Sequence, residues 1–322
     1  MRAPIRKGLS GRKVSAWIRN NPVVIVLVVL FVLFSTLYPE RFLTSMNLSA
    51  ILRQFVRLML FALGPSLVII TGSIDLSYVG TWMLGGVLVW LAFPILGLYS
   101  IAIYPLLGAF TGLLVGSIQV KTKIPSFVLT LSLLVSYWGL TAWLAGGRPR
   151  VVRGFEFITA PLVPYIPSAF LWAIPLILLT VVLAKGSAFG TYLYAIGSNE
   201  EGAKLAGIRV DRYKVLGFVM SGLLTGVGLI VLFPFLGGSS PTELKLGNIV
   251  DPLVAIVLGG TPLVGGAGGP HYTIFGALAY AVVYRGLYLA LLHPQTVQLL
   301  LGLVIIGAIL VSSRGLKGVI IT

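Results

Sequence analysis

Ten mostly apolar runs, separated by short polar or glycine-rich segments, take up most of this 322-residue sequence. Apolar residues make up 57% of the chain and charged residues 10%, whereas soluble domains hold about 45–50% and about 25%. A helix of about 20 apolar residues crosses a bilayer and satisfies its own backbone hydrogen bonds in lipid. The pattern therefore predicts an all-α, polytopic transmembrane protein and excludes an ordinary soluble enzyme.

The apolar runs define the predicted architecture. Residues 1–21 form a basic N-terminal segment, and residues 22–322 form a single transmembrane domain with a polar loop at about 185–213. The run at 251–264 is short and bounded by glycine and proline, so it either spans the membrane or re-enters it. The predicted spans are residues 22–38, 51–72, 76–97, 99–119, 124–145, 169–184, 214–236, 251–264, 272–292 and 296–311.

The basic residues indicate the orientation of the chain. Lys and Arg total 23 against 8 Asp and Glu, which gives a formal net charge of +15. These residues lie mostly between the apolar runs, so they indicate topology rather than a nucleic-acid partner. With the N-terminus inside, fifteen of them fall in cytoplasmic segments and five in outer segments, as the positive-inside rule requires. We expect a multi-pass protein of the cell membrane with both termini in the cytoplasm.

Sequence signatures of catalysis are missing. The chain has no Cys and two His, so neither a thiolate site nor a multi-histidine metal site is expected. It has no G-x-x-x-x-G-K-[ST] phosphate loop, so it is not expected to bind ATP itself. We expect no metal, no cofactor and no catalytic residue in this chain.

A polar segment interrupts the apolar sequence near residue 72. Gly72 and Ser73 predict a break between two helices, and Asp75 or Ser77 would cap the second helix. A carboxylate inside a membrane costs about 2.5–3.5 kcal/mol on insertion scales, so Asp75 is expected to face a cavity, a partner or a helix end. Two interpretations stay open. Asp75 is simply a cap, or Gly72, Asp75 and Ser77 line a translocation path.

A second break follows Asp251. Gly259, Gly260 and Thr261 lie in it, and together with Asp251 they are further candidates for the translocation path. Broken helices at matching places in two halves of a transporter point to its substrate pathway. Equal spacing relates Pro65 to Pro252, Gly72 to Gly259 and Leu76 to Leu263. This internal repeat is weak, and chance in a sequence rich in glycine and proline explains it equally well.

The polar stretch at residues 197–214 predicts a short capped helix. Asn199 can cap it, an acidic pair follows in the first turn, and Gly207 can end it in a left-handed turn. Its small apolar surface consists of Ala203, Leu205 and Ala206. Such a helix is either an ordinary solvated loop or an element that docks on a soluble partner.

Two stripes of glycine lie on single helix faces. One consists of Gly108, Gly112 and Gly116, and the other of Gly222 and Gly226. Small residues at this spacing let helix backbones approach closely in lipid. We expect tight packing within the chain, with contact between subunits as the alternative.

Three motifs, in this order, resemble those of the permease subunits of ATP-binding-cassette importers for simple sugars, the ribose, xylose and galactose type. Residues 72–77 match G-x-I-D-L-S. Residues 189–208 match F-G-x-x-x-x-A-x-G-x-N-E-x-x-A-x-x-[SA]-G-I, and residues 251–266 match D-x-x-x-A-x-V-L-G-G-T-x-L-x-G-G. The resemblance covers about residues 50–318.

The resemblance implies a transport function and a set of partners. A permease of this family encloses the path with a second permease copy, identical or related, and receives substrate from an extracytoplasmic binding protein. Separate ATPase subunits bind the ATP and drive import. The second motif forms the cytoplasmic helix that docks on the ATPase, and this role passes to Asn199, Glu200, Ala203, Gly207 and Ile208.

The implied substrate is a simple sugar, a pentose or a hexose. An importer for another small polar nutrient, such as a nucleoside or an amino acid, is the first alternative. An ion-coupled secondary transporter is the second.

The chain departs from the family pattern at three places. Gly202 replaces the usual Ala in the short helix of the second motif, which weakens that helix by about 0.5–1 kcal/mol. The family usually reads D-L-S-V-G, whereas Tyr78 stands here as an apparent insertion after Ser77. An acidic residue usually found two positions before Asp251 is here Ile249. Because one extra residue turns later side chains by about 100° around a helix, roles beyond Ser77 do not transfer residue by residue.

Overall fold

A computed structural model describes residues 22–160, 162–235, 244–291, 293, 295–303 and 306–307. The helices are α1 (Pro22–Leu37), α2 (Pro39–Phe42), α3 (Ser45–Ile70), α4 (Ser77–Leu96), α5 (Ile103–Thr122), α6 (Ser126–Ala145), α7 (Glu156–Thr159), α8 (Ser168–Lys185), α9 (Ala188–Ser198), α10 (Glu200–Leu205), α11 (Val210–Phe235), α12 (Leu246–Leu258) and α13 (Pro270–Leu289). Residues 295–303 are also helical. Within these ranges no strand is formed and the β pairing consists of isolated bridges, such as that between Val163 and Ile166, so the all-α prediction is confirmed.

Five helical segments of the described chain are long and apolar enough to cross a membrane. They are Ser45–Ile70, Ser77–Thr122, Ser126–Ala145, Ser168–Lys185 and Val210–Phe235. Helices α1 and α12 are shorter apolar helices. The protein is therefore a multi-pass membrane protein. The basic segment at 1–21 and the end of the last predicted span lie outside the described residues.

Helix α3 runs through the middle of the bundle. In its most apolar window 83% of the residues are buried, against 22% for α6. It packs against α8, α11, α12 and α13. The first predicted break, at the end of α3, therefore lies inside the bundle rather than on its surface.

The two glycine stripes pack against each other where α5 crosses α11. A Cβ on Gly108 would overlap the carbonyl oxygen of Gly222, and a Cβ on Gly222 would overlap that of Gly108. Gly112 meets the backbone of Phe218 in the same way. The prediction of tight packing within the chain is confirmed, and only glycine permits this approach of two backbones.

Several predicted span boundaries are displaced. Helix α3 begins at Ser45 rather than at residue 51, because Thr44 caps it and Asn47 is buried with its Nδ2 donating to the Phe42 carbonyl oxygen at 2.8 Å. A 3₁₀ turn at Gly97–Ala102 shifts the start of α5 from the predicted residue 99 to Ile103. Helix α12 ends at Leu258 rather than at 264. Its 13 residues extend about 20 Å, less than the hydrocarbon thickness of about 30 Å, so α12 does not cross the membrane alone.

Candidate functional site

The two helix breaks and the end of α9 meet at one end of the bundle. The amide nitrogen of Gly266 donates to the carbonyl oxygen of Ile70 at 2.8 Å. The Tyr194 hydroxyl donates to the Gly268 carbonyl oxygen at 2.5 Å, and the Ser198 hydroxyl reaches the Gly266 carbonyl oxygen at 3.4 Å. All three motifs therefore come together in one place. We call residues 70–76, 194–198 and 259–269 the glycine junction.

Glycine is required where these backbones touch. A Cβ on Gly197 would overlap the carbonyl oxygen of Ile70 and lie 2.6 Å from the amide nitrogen of Gly266. Gly72 has φ +76°, and a Cβ there would lie 2.8 Å from the Val264 carbonyl oxygen. The junction is thus built from direct backbone contacts, and any side chain at these positions would separate its parts.

The two breaks are similar but not equivalent residue by residue. Gly72 has a left-handed backbone, whereas Gly259, its match in the predicted repeat, has φ −61° and the left-handed residue is Gly260, with φ +101°. The Thr261 hydroxyl oxygen accepts a hydrogen bond from the Gly269 amide at 2.8 Å and closes the second loop. The repeat of the sequence is therefore displaced by one residue in the structure.

Asp75 is a buried cap that also ties the first break to α11. Its side chain is 2% exposed. One carboxylate oxygen accepts from the Ser77 amide at 2.9 Å and from the Ser77 hydroxyl at 2.6 Å, and the other accepts from the Ser221 hydroxyl at 2.7 Å. Among the described residues Asp75 has no ion-pair partner. The carboxylate thus fixes the start of α4 and its position against α11.

The first break is also held by the neighbouring helices α5 and α6. The Gln119 side-chain amide donates to the Ser73 hydroxyl at 3.2 Å, and the Ile74 backbone amide donates to the Ser126 hydroxyl at 2.8 Å. The segment between α3 and α4 is therefore hydrogen-bonded to α5, to α6 and, through Asp75, to α11.

Asp251 lies apart from the other path candidates. It is in the second turn of α12, half-buried, and accepts a hydrogen bond from the Tyr280 hydroxyl. Arg57 acts on it electrostatically. The structure thus brings Gly72, Gly260 and Thr261 together at the junction, and places Asp251 about two helical turns before the end of α12.

The predicted capped helix is present as α10. The Asn199 side-chain oxygen accepts from the Gly202 amide at 2.8 Å. Gly207 has φ +82°, and the Ile208 amide donates back to the Ala203 carbonyl oxygen at 3.0 Å. These bonds satisfy backbone groups at both ends of a helix of six residues, so α10 is a fixed element between α9 and α11.

The apolar residues of α10 face in different directions. Ala203 is 5% exposed and packs against Ile196 and Val210, so it anchors the helix to its own chain. Leu205 is 91% exposed. A soluble partner would therefore contact Leu205, which the family motif does not single out, rather than Ala203.

Glu200 forms ion pairs with two lysines beside α10. Its carboxylate accepts hydrogen bonds from Lys214 and, at 2.9 Å, from Lys204. The bond from Lys214 lowers the pKa of Glu200, and the bond from Lys204 adds to this effect. Beside α10 lies a groove of about 400 Å³ with Arg209 and Arg212 in its lining. The exposed face of this region combines a basic groove with one large apolar side chain.

Two of the three departures from the family pattern, at Tyr78 and Ile249, contact each other. The Tyr78 hydroxyl donates to the backbone carbonyl oxygen of Ile249. Tyr78 is buried and packs its ring against Phe61, whose ring also contacts Trp82. The apparent insertion in α4 is thus accommodated by a contact with α12 at the position where the acidic residue is missing.

Sequence reasoning missed several residues of the junction. Tyr194, Gly197, Ser198 and Gly266 were not among its candidates, although all four lie within or beside the second and third motifs. Two of them occupy glycine positions of those motifs. The glycine pattern of the motifs was the one signal in the sequence that could have identified Gly197 and Gly266.

The chain is similar in sequence to known proteins over most of its length. The family described as the permease component of the branched-chain amino acid transport system matches residues 47–309. The ribose import permease of Escherichia coli (strain K12) is 31% identical over 322 aligned residues, which cover 95% of this chain and 98% of that protein. The ribose import permease of Bacillus subtilis (strain 168) is 32% identical and covers 89% of this chain and 91% of its own length. The xylose transport system permease of Escherichia coli (strain K12) is 28% identical, with 88% of each chain covered.

A match over residues 47–309 includes the path candidates, α10 and the glycine junction. The chain therefore belongs to the family of transport-system permease components that includes these sugar import permeases.

Proposed function

We propose that the chain is the membrane-spanning subunit of a binding-protein-dependent, ATP-driven importer of a simple sugar. The observation that carries the proposal is the glycine junction. There the end of α9, which leads directly into the capped helix α10, is hydrogen-bonded to the loop at 266–268, and that loop is bonded to the end of α3. The relatives named for ribose and xylose import support the sugar as substrate. ATP would bind to separate ATPase subunits, and an extracytoplasmic binding protein would deliver the sugar.

Helix α10 is the proposed contact with the ATPase. Leu205 is exposed, and the adjacent groove with Arg209 and Arg212 offers donors to an acidic surface. The caps at Asn199 and Gly207 hold α10 in one orientation, so a force on Leu205 moves the helix as a whole. Two permease copies, identical or related, would present two such helices to two ATPase subunits.

The end of α9 is the proposed link from α10 to the transport path. Ser198 immediately precedes Asn199, and with Tyr194 it is hydrogen-bonded to the loop at 266–268. That loop is in turn bonded to Ile70 at the end of α3. A displacement of α10 would therefore reach both helix breaks through two hydrogen bonds. In this proposal Gly72, Asp75, Ser77, Gly259, Gly260 and Thr261 act at the moving end of the path, and Asp251 acts deeper in the bundle.

An importer of another small polar nutrient is the second candidate. The observation that favours it is the description of the matching family, which names branched-chain amino acids. Uptake of radiolabelled ribose, xylose and leucine by cells that express the complete complex distinguishes the two. Leucine uptake without sugar uptake would refute the sugar assignment and leave the importer assignment in place.

Gly207→Val tests the ATPase contact. A β-branched residue is a poor occupant of the left-handed position, so α10 should end with altered geometry. We expect the variant to reach the membrane in normal amount but to lose ATPase binding and substrate-stimulated hydrolysis together. Gly147→Val is the matched control, because Gly147 also has a positive φ, +69°, and nothing within 4 Å of a built Cβ. Full ATPase binding by the Gly207 variant would refute the contact.

Reporter fusions test the orientation. A reporter after Ser198 should read as cytoplasmic, and one at Gly147 should read as external. The first reading places α10 on the ATPase side of the membrane. An external reading at Ser198 would contradict both the topology and the proposed role of α10.

A further inference from the structure

A cavity of about 360 Å³ lies between α3, α8, α11 and α13, at the end of the bundle away from the glycine junction. Its lining includes three basic side chains, Arg53, Arg57 and Arg285, and one side-chain amide, Gln54. Pockets that take small molecules start at about 300 Å³, so this one can hold a small polar group. None of these four residues belongs to the three motifs or to the proposed coupling route.

The arginines of α3 lie within a membrane-spanning segment, where Arg57 is half-buried and Arg53 is exposed. Arg53 and Arg57 are about 12 and 18 Å along a helix of 26 residues, which extends about 39 Å. A cationic side chain near the middle of a membrane is expensive and normally faces a cavity or a partner. The predicted topology also places this end of the bundle outside, where basic residues are depleted. A cluster of three arginines at this site is therefore costly, and this cost indicates a specific function for the cluster.

Most of the donors in the cluster are unused within the described chain. Arg285 donates from Nε and Nη2 to the Asn47 side-chain oxygen at 3.1 and 3.0 Å, and Arg53 donates from Nη1 to the Ser49 hydroxyl at 2.8 Å. Arg57 has no hydrogen-bond partner among the described residues. Since each guanidinium carries five N–H groups, many donors remain for a ligand.

The cluster is also short of negative charge. No described carboxylate lies within 4.0 Å of any of the three guanidinium groups. Asp251 acts electrostatically on Arg57 from the neighbouring helix and is the one described carboxylate that interacts with the cluster. In addition, Nε2 of Gln54 is buried without a hydrogen-bond partner. The cavity thus presents one buried donor without a partner, on Gln54, together with an excess of positive charge.

We propose that this cavity is an oxyanion-binding site that takes a phosphate group. Three arginines contribute +3 and Asp251 contributes −1, which leaves +2 to be neutralised. A phosphate monoester carries about −1.5 to −2 at pH 7, and the planar guanidinium group binds phosphate through paired hydrogen bonds. The phosphate belongs either to a soluble ligand or to a lipid headgroup. The depth of Arg57 and the charge match favour the soluble ligand, because a lipid phosphodiester carries a single charge.

Helix packing alone does not account for the cluster. The bond between Arg285 and Asn47 joins α13 to α3 and satisfies a packing role. It involves neither Arg57 nor the Nε2 of Gln54. An anion held between α3 and α13 would engage all of these groups together.

The test measures binding by the purified full-length chain, without transport. Inorganic phosphate is titrated into the protein in neutral detergent, and thermal unfolding is recorded. The same measurement is made in nanodiscs of phosphatidylcholine with and without phosphatidylglycerol. We expect saturable stabilisation by phosphate, and an affinity about tenfold weaker in Arg57→Gln, since one charge-assisted contact is lost. Arg148→Gln removes an exposed arginine outside the cavity and should bind within twofold of the unsubstituted protein.

Each possible result of these measurements either supports or overturns the proposed site. Stabilisation by phosphatidylglycerol alone, lost in Arg57→Gln, would support the site and identify the lipid as the source. Saturable binding that the arginine substitutions do not change, or no binding of either probe, would overturn the proposal. If Arg57→Gln does not elute as a single species, Arg53→Gln replaces it, because the Arg53 residue is exposed and makes one hydrogen bond. The inference goes beyond sugar import, and because uptake is not measured, its failure and that of the proposed function are separate results.

Discussion

Replacing Gly197 by Ala places a methyl group against the hydrogen bond that joins the two helix breaks. The new Cβ would overlap the Ile70 carbonyl oxygen and lie 2.6 Å from the Gly266 amide nitrogen, the two atoms of that bond. Both belong to the backbone and cannot rotate away. The end of α9 must therefore move relative to α3 and to the loop at 266–268.

The size of the effect follows from these distances. An ordinary contact for a Cβ begins at 3.4 Å, so the Gly266 nitrogen must retreat by 3.4 − 2.6 = 0.8 Å. A shift of this size along the bond to Ile70 would stretch that bond from 2.8 Å to about 3.6 Å, too long for a hydrogen bond. A buried backbone group left without its partner costs about 1–3 kcal/mol. If that energy couples α10 to the path, the equilibrium between the transport states shifts by about 5- to 150-fold.

The assay is ATP-driven uptake by proteoliposomes that contain the chain, the ATPase subunits and the binding protein. We expect Gly197→Ala to reduce uptake at least fivefold while the ATPase subunits still co-purify. Gly217→Ala is the control, because its Cβ would meet only the Leu193 side chain, at 3.6 Å. Equal uptake by the two variants would refute the proposed link through the junction.

Three further predictions concern packing, the first break and α10. Gly108→Ala should lower the thermal unfolding temperature in detergent, because overpacking a helix contact costs about 1–3 kcal/mol. In the control variant Gly139→Ala the new Cβ meets nothing within 4 Å, so the unfolding temperature should stay unchanged or rise. Asp75→Asn replaces an acceptor oxygen by a donor and loses one hydrogen bond worth about 1.5–3 kcal/mol, so uptake should fall while expression stays normal. Unchanged uptake would show that the carboxylate is dispensable. The pKa of Glu200 is lowered by Lys214, so its stabilisation of α10 is present above about pH 4.3 and is lost as the pH falls through the lowered pKa. The free energy that protects the α10 amides from hydrogen exchange, after correction for the intrinsic pH dependence of exchange, should fall over that range by less than about 1 kcal/mol, because the pair is partly exposed. Glu200→Gln should remove this pH dependence.

The local features of the site could be predicted from the sequence. The cap at Asn199, the left-handed Gly207 and the cap at Asp75 depend on residues within a few positions of one another. Such short-range geometry follows from residue type and spacing. The break near residue 72 was predictable for the same reason, because glycine and polar residues interrupt an apolar run.

The contacts that assemble the site could not be predicted in this way. The bond from Tyr194 to Gly268 joins residues 74 positions apart, and the bond from Ser221 to Asp75 joins residues 146 apart. No local pattern specifies which hydroxyl reaches which carbonyl or carboxylate oxygen across the bundle. The inward orientation of Ala203 likewise depends on where α9 and α11 pack.

The crossing of α5 and α11 determines which parts of the permease can move separately. Because backbone lies directly on backbone at Gly108 and Gly222, neither helix can slide or tilt without a steric clash. The two helices form one rigid body, and α10 is attached to it through Val210, the first residue of α11. The hinge for alternating access must therefore lie outside this pair of helices. Cross-links between α5 and α11 should leave transport intact, which offers a fixed internal reference for measuring the motion of every other helix.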